Sequence, residues 1–74
     1  MYRFVMNKNA QTGTRDHEVH NKTTGCPNRM PNNENQVDLG LHASCHEAIA
    51  YAKRQYPNLK IDGCYHCCNA CHTS

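Results

Sequence analysis

The sequence predicts an α+β domain: a small antiparallel sheet of three or four strands with one helix, and a metal-bound C-terminal cysteine block. Three observations support this prediction. Apolar and polar residues alternate in two segments, as they do in strands with one buried face. A helix-start motif precedes a stretch with helical periodicity. The last 11 residues hold four of the six cysteines, which makes them the densest group of soft metal ligands in the chain.

The first two strands are predicted to form a hairpin. Residues 2–7 place three large apolar side chains on one face, which is typical of a half-buried strand. The segment that follows contains Asn9 and Gly13, two residues that tolerate positive φ, so it is expected to turn. The chain should then return through residues 16–21 as the second strand.

The long polar segment 21–36 is expected to need an anchor. It is rich in asparagine and proline, and it is long for an unsupported loop in so small a domain. Cys26 is its only cysteine, and Gly25 and Pro27 on either side would shape a tight local turn. The alternative is that Cys26 is an exposed thiol without a structural role.

A third strand and the helix follow in direct succession. Residues 36–42 alternate, with Val37, Leu39 and Leu41 on one face. The motif that begins at Ser44 is a capping box, in which Ser44 and Glu47 satisfy backbone donors at a helix start. The helix should then run from about Cys45 to Gln55 or Tyr56, since Pro57 stops it. Its inward stripe is predicted to comprise Cys45, Ala48, Ile49, Ala52 and Tyr56.

The segment after the helix is predicted to hold a short final strand around Leu59 and Ile61. Asp62 and Gly63 should then turn the chain into the cysteine block. On the helix itself, His46 lies about 100° from Cys45 and is expected to face solvent, which makes it a weaker ligand candidate than Cys45.

The cysteine block contains two abutting C-x-x-C pairs. Two thiolates three residues apart can bind one tetrahedral ion across a tight turn, and this spacing recurs at zinc sites. Cys67 and Cys68 are neighbours whose side chains should diverge, which favours two sites. In one partition Cys64 and Cys67 bind one ion, and Cys68 with Cys71 or His72 binds a second. A single four-ligand site with the other thiols left over fits the spacing equally well.

The remaining ligands are expected from earlier in the chain. His17 and His20 are three residues apart, so a regular strand points them to opposite faces, and one of them is expected to contribute rather than both. A neighbouring carboxylate such as Glu18 could orient the imidazole. The cysteines of the block rank first as ligands, then Cys45, and then Cys26 with the early histidines. The full set of predicted metal ligands is Cys64, Cys67, Cys68, Cys71, His72, Cys45, Cys26, His17 and His20.

Composition explains why a metal would be needed. The 74 residues are expected to form a single domain, 1–74. With 38% hydrophobic residues and a mean hydropathy of -0.88, its apolar core is too small to stabilise the fold without a cross-link or a metal. One or two structural Zn²⁺ ions would supply the missing stability. The N-terminal residues resemble no signal peptide, and a cytoplasmic, reducing location is expected, which favours metal thiolates over disulfides.

Several partner classes are disfavoured. The formal charge is +2 and the basic residues are scattered, so nucleic-acid binding is not expected. No segment has the length of a membrane span. A role as a zinc-binding interaction module with an unknown protein partner fits best, and no enzyme is predicted, because no open zinc site with a nearby acid or base is evident.

Two alternatives use the same cysteines. In the first, the CxxCCxxC cluster serves thiol redox chemistry or metal trafficking and sensing. The other alternative is covalent haem attachment, because residues 68–72 read C-N-A-C-H. Few bulky apolar residues are present to enclose a porphyrin, and Cys64 and Cys67 are superfluous to that motif.

The motifs D-H-E-V-H, S-C-H-E-A-I and G-C-Y-x-C-C-x-x-C-H together span most of residues 16–72. In this combination the chain resembles small uncharacterised bacterial Cys/His-rich proteins that carry no functional name. The resemblance implies a stand-alone small domain, and it supplies no activity, substrate or partner.

Overall fold

The computed structural model describes residues 1–10, 13, 15–25, 30–64, 68 and 71. In chain order the described elements are β1 (Tyr2–Asn7), β2 (His17–Asn21), β3 (Gln36–His42), α1 (Cys45–Gln55) and β4 (Ile61–Gly63). One turn of 3-10 helix, Asn33–Asn35, precedes β3. The α+β class with one helix and a four-stranded sheet is confirmed.

The sheet is mixed rather than wholly antiparallel. The strand order is β3-β1-β2-β4, and β1 is antiparallel to both of its neighbours. β4 instead pairs parallel to β2, with His17 opposite Ile61 and Val19 opposite Gly63. The helix explains this difference from the expected antiparallel sheet: α1 returns the chain to the end where β3 began, so β4 runs in the same direction as β3 and β2.

A β-bulge in β3 changes which side chains face the helix. The pairing with β1 shifts between Phe4, opposite Gly40, and Val5, opposite Asp38, so that Leu39 is the extra residue. Gly40 adopts a φ of 85°, which favours glycine. Leu39 is buried, yet Leu41 is 53% exposed. The prediction that Leu41 shares the buried face was therefore wrong, because the bulge reverses the alternation beyond it.

The core lies between the sheet and α1. Phe4, Met6 and Val19 contribute from the sheet, and Ala48 and Ala52 from the helix. Tyr56, predicted on the inward stripe, is 39% exposed, because it follows the last helical residue. Tyr51 packs against the core in its place, and its ring lies 5.4 Å from that of His42.

The predicted capping box is confirmed at the start of α1. Ser44 Oγ accepts a hydrogen bond from the Glu47 backbone N–H at 3.4 Å. Glu47 Oε1 accepts in return from the Ala43 N–H at 3.2 Å, one residue before the cap itself. This fixed helix start holds Cys45 and His46 in the first turn of α1.

Asp38 is held in its charged form on the outer face of β3. Its Oδ1 accepts from the Gly40 N–H at 3.0 Å, and both carboxylate oxygens accept from Arg3 Nη1 at 2.8 and 2.9 Å. The backbone hydrogen bond from Gly40 and then the bond from Arg3 lower the pKa of Asp38 below its usual value. The side chain is 63% exposed, so the stabilisation is modest.

Asp38→Asn is therefore expected to destabilise the protein by less than about 1 kcal/mol at pH 7. Because the folded-state pKa is depressed, the charged carboxylate stabilises the fold above its unfolded pKa, and this contribution is lost as the pH falls through the folded value. Urea unfolding at pH 7 and pH 2.5 checks this. The wild type and Asp38→Asn should have the same free energy of unfolding at the lower pH. A difference of the same size at both pH values would contradict the assignment.

Candidate metal centre

Two strands bring three metal-ligating side chains to the sheet face opposite the helix. On β2, Val19 points into the core, so Glu18 and His20 point to the other face. On β4, Gly63 lies opposite Val19, and the Cys64 backbone N–H donates to the Val19 carbonyl at 2.9 Å. The parallel ladder thus continues to Cys64 and sets it beside His20.

The three side chains form a compact cluster. One ligand atom from each of Glu18, His20 and Cys64 lies within 4.8 Å of the others. Glu18 Oε1 is 3.8 Å from His20 Nε2. The His20 side chain is 1% exposed and Cys64 2%, whereas Glu18 is 23% exposed, so the cluster is reached from solvent chiefly past the carboxylate.

These distances are close to those of a coordinated ion. Two nitrogen or oxygen ligands at the usual 2.0–2.1 Å from a tetrahedral zinc lie about 3.4 Å apart, and a thiolate and an imidazole about 3.6 Å apart. Shifts of a few tenths of an ångström would bring Glu18 and His20 to such positions. The Glu18–His20–Cys64 cluster could therefore hold a metal.

A second group lies where the C-terminal segment meets the start of the helix. Cys45, His46 and Cys71 also place their ligand atoms within 4.8 Å of one another. Here Cys45 and Cys71 are joined by a disulfide across a sequence separation of 26 residues, with their Cα atoms 6.4 Å apart. The bond links the first helical residue to the chain that follows β4.

This disulfide differs from the expectation that the thiols would be reduced. A sulfur in a disulfide offers no thiolate, so Cys45 and Cys71 are not ligands in the oxidised form. Their predicted role in metal binding applies only to the reduced chain. His46 is exposed, as its position on the helix predicted.

Gly63 allows the two described residues of the C-terminal segment, Cys68 and Cys71, to lie against β4. A Cβ atom at this position would come within 2.9 Å of both the Cys68 carbonyl oxygen and the Cys71 Cβ. The segment is also held by hydrogen bonds from the Cys68 N–H to the Cys64 carbonyl and from the Cys71 N–H to the Cys68 carbonyl, both 2.9 Å. Backbone contact at Gly63 thus sets the position of Cys71 opposite the helix start.

Gly63→Ala is expected to destabilise the protein by about 1–3 kcal/mol, because the added methyl group must displace backbone rather than a mobile side chain. Gly63 has no positive φ, so the effect would come from this contact alone. Chemical unfolding under oxidising conditions checks it. A variant as stable as the wild type would show that the segment does not pack closely against β4.

The other predicted ligands lie apart from the two clusters or outside the described residues. Cys68 is 2% exposed and belongs to the hydrophobic core. His17 lies on the helix-facing side of β2, and its Nδ1 is 3.0 Å from the Asn7 carbonyl oxygen. Cys26, Cys67 and His72 fall outside the described residues, so their predicted roles stay predictions.

Glu18 was not predicted as a metal ligand from the sequence. It was expected at most to orient an imidazole, yet it belongs to the same cluster as His20 and Cys64. The signal was available, because residues two apart in a strand share a face and Glu18 and His20 have that spacing. The choice between His17 and His20 needed the direction of β4, which the sequence pattern did not supply.

Over the described part of the chain, no helix has both the length and the apolar character needed to cross a bilayer. No protein-family model, curated protein or solved structure matches this chain.

Proposed function

We propose that this protein is a small zinc-binding domain whose Glu18–His20–Cys64 cluster holds one structural Zn²⁺. The observation that carries the proposal is the convergence of three different ligand types at the junction of two parallel strands. The C-x-x-C spacing makes Cys67, three residues after Cys64, the candidate for the fourth ligand. The ion would tie β2 to the residues that follow β4.

The chemistry of the donor set favours zinc. Thiolate and imidazole together suit Zn²⁺, and a carboxylate oxygen is a common third ligand type. Calcium and magnesium prefer oxygen ligands, and this cluster offers only Glu18 as an oxygen donor. The mixture of one sulfur, one nitrogen and one oxygen group therefore supports zinc over the alkaline-earth ions.

The burial of the cluster supports a structural role rather than catalysis. A catalytic zinc keeps an open position that a substrate can reach. His20 is fully buried and Cys64 is 2% exposed. An ion held between these two side chains is shielded from a substrate-sized molecule, so we propose no enzymatic activity for this centre.

The biological role that we propose is that of an interaction module. β3 lies at one edge of the sheet, and Leu41 on this strand is 53% exposed. An accessible edge strand with apolar side chains is a common surface for binding another polypeptide chain. The metal would keep the sheet folded so that this edge is presented.

Native mass spectrometry of the reduced protein, purified without added metal, tests the zinc centre. His20→Phe retains a ring of similar size but cannot bind metal, and we expect it to carry one zinc fewer per chain than the wild type. His17→Asn is the matched control, since His17 lies on the opposite face of the same strand, and it should keep the wild-type zinc content.

Glu18→Gln provides a second variant that does not depend on a buried substitution. We expect its zinc affinity, measured by competition with a chromophoric chelator, to fall at least tenfold, because the amide is a much poorer ligand than the carboxylate. Retention of all zinc by His20→Phe would overturn the proposal. So would a reduced wild-type protein that carries no metal.

A further inference from the structure

We infer that Cys45, His46 and Cys71 form a second metal site. This site binds metal when the two cysteines are reduced and loses it when they are oxidised. In the reduced chain the three side chains would bind a zinc ion, and in the oxidised chain the two sulfurs form the observed disulfide. These residues are distinct from the Glu18–His20–Cys64 cluster, so this inference does not depend on the proposed function.

The helix start and the C-terminal segment hold the three side chains in place in both states. Cys45 is the first residue of α1, behind the Ser44 cap, and it packs partly against the hydrophobic core. Cys71 is 9% exposed and its backbone N–H donates to the Cys68 carbonyl. Neither the Ser44 cap nor the hydrogen bond of the Cys71 N–H involves a sulfur atom, so both persist when the disulfide is reduced.

The change in geometry between the two states is small. Two thiolates on one tetrahedral zinc lie about 3.8 Å apart, because each Zn–S bond is about 2.3 Å long. In a disulfide the sulfurs are about 2.05 Å apart. The separation therefore changes by less than about 2 Å. Rotation of the Cys45 and Cys71 side chains can supply this, with the Cα atoms remaining near their present distance of 6.4 Å.

The composition of this site makes its metal exchangeable. Three protein ligands leave one position of a tetrahedral zinc open for water or an incoming thiol. His46 is exposed, so the imidazole side of the site faces solvent. This contrasts with the Glu18–His20–Cys64 cluster, in which two of the three ligands are almost fully buried. A small oxidant can reach the Cys45–His46–Cys71 site.

The proposed reaction is a two-electron exchange with a low-molecular-weight disulfide such as glutathione disulfide. One protein thiolate attacks a sulfur of glutathione disulfide, which releases one glutathione thiolate and leaves a mixed disulfide. The second protein thiolate attacks the protein sulfur of that mixed disulfide and releases the other glutathione thiolate. The Cys45–Cys71 bond forms, glutathione disulfide is reduced to two thiolates, and one Zn²⁺ leaves the protein. The reverse reaction restores the metal site.

The inference is tested on the full chain by counting the zinc ions bound per chain before and after oxidation. By native mass spectrometry, the reduced wild-type protein should lose one zinc per chain when glutathione disulfide is added. Peptide mapping should place the new disulfide between Cys45 and Cys71. The Cys45→Ser and Cys71→Ser variants should begin with one zinc fewer and should release none on oxidation.

His46→Ala separates metal binding from disulfide formation. It should weaken the affinity for the exchangeable zinc at least tenfold, while the Cys45–Cys71 disulfide still forms. His17→Asn is the matched control and should leave that affinity unchanged. Three outcomes would overturn the inference: no zinc release on oxidation, a disulfide at another cysteine pair, or unchanged zinc content in both cysteine variants. In the third of these outcomes, loss of zinc from His20→Phe but from neither cysteine variant would still support the first centre.

Discussion

Removing zinc from the reduced protein with a chelator is expected to lower the melting temperature by about 10–20 °C. A metal present at a hundred times its dissociation constant stabilises the folded state by about 2.7 kcal/mol. In a domain of this size each kcal/mol corresponds to roughly 4–8 °C. Thermal unfolding followed by circular dichroism, with thiol reductant throughout, measures the effect directly.

The stability effect of the chelator should disappear when the buried ligand is replaced. In the Cys45→Ser, Cys71→Ser background, which lacks the second metal site, His20→Phe should melt at the same temperature with and without chelator, because no ion is then bound between β2 and the residues after β4. His17→Asn should retain the full response of the wild type. A wild-type melting temperature that does not change on chelation would contradict a structural role for the metal.

Replacing both disulfide cysteines, as Cys45→Ser with Cys71→Ser, should destabilise the oxidised, metal-free protein by about 3.5 kcal/mol. The figure follows from the chain entropy that a cross-link removes from the unfolded state when it closes a loop with a sequence separation of 26 residues. Replacing both residues avoids leaving one reactive thiol behind. Urea unfolding without reductant measures the free energy of unfolding.

Reduction of the wild type supplies the control for this prediction. In metal-free buffer with reductant, the wild type and the double variant should have similar stabilities, because neither then contains the cross-link. Equal stabilities under oxidising conditions would show that the bond between α1 and the C-terminal segment contributes nothing to the fold.

The sequence predicted the elements well because their signals are local. The strand at 2–7, the strand at 36–42 and the helix at 45–55 have the predicted bounds. Each depends on periodicity within a few residues or, at Ser44, on a cap that its own neighbours satisfy. The failure at Leu41 has an equally local origin, since a single extra residue at a bulge reverses every later side chain.

The candidate sites were harder to predict because they depend on pairing between distant segments. The cysteines of the block were predicted as metal ligands from their spacing, and that spacing gave no sign that Cys68 is part of the hydrophobic core. The parallel pairing of β2 with β4 is what brings Cys64 to Glu18 and His20. Helical periodicity placed Cys45 correctly on the inward side of α1, but it could not reveal Cys71 as its partner.

Zinc K-edge X-ray absorption on the reduced Cys45→Ser, Cys71→Ser double variant tests the Glu18–His20–Cys64 centre alone, because only this buried centre should then bind metal. We expect a mixed ligand shell, with sulfur at about 2.3 Å and nitrogen and oxygen at about 2.0–2.2 Å from the zinc. Adding His20→Phe to the double variant should remove the bound zinc and with it the whole of this signal. A shell made of sulfur alone, or the absence of bound zinc, would contradict a metal centre formed by Glu18, His20 and Cys64.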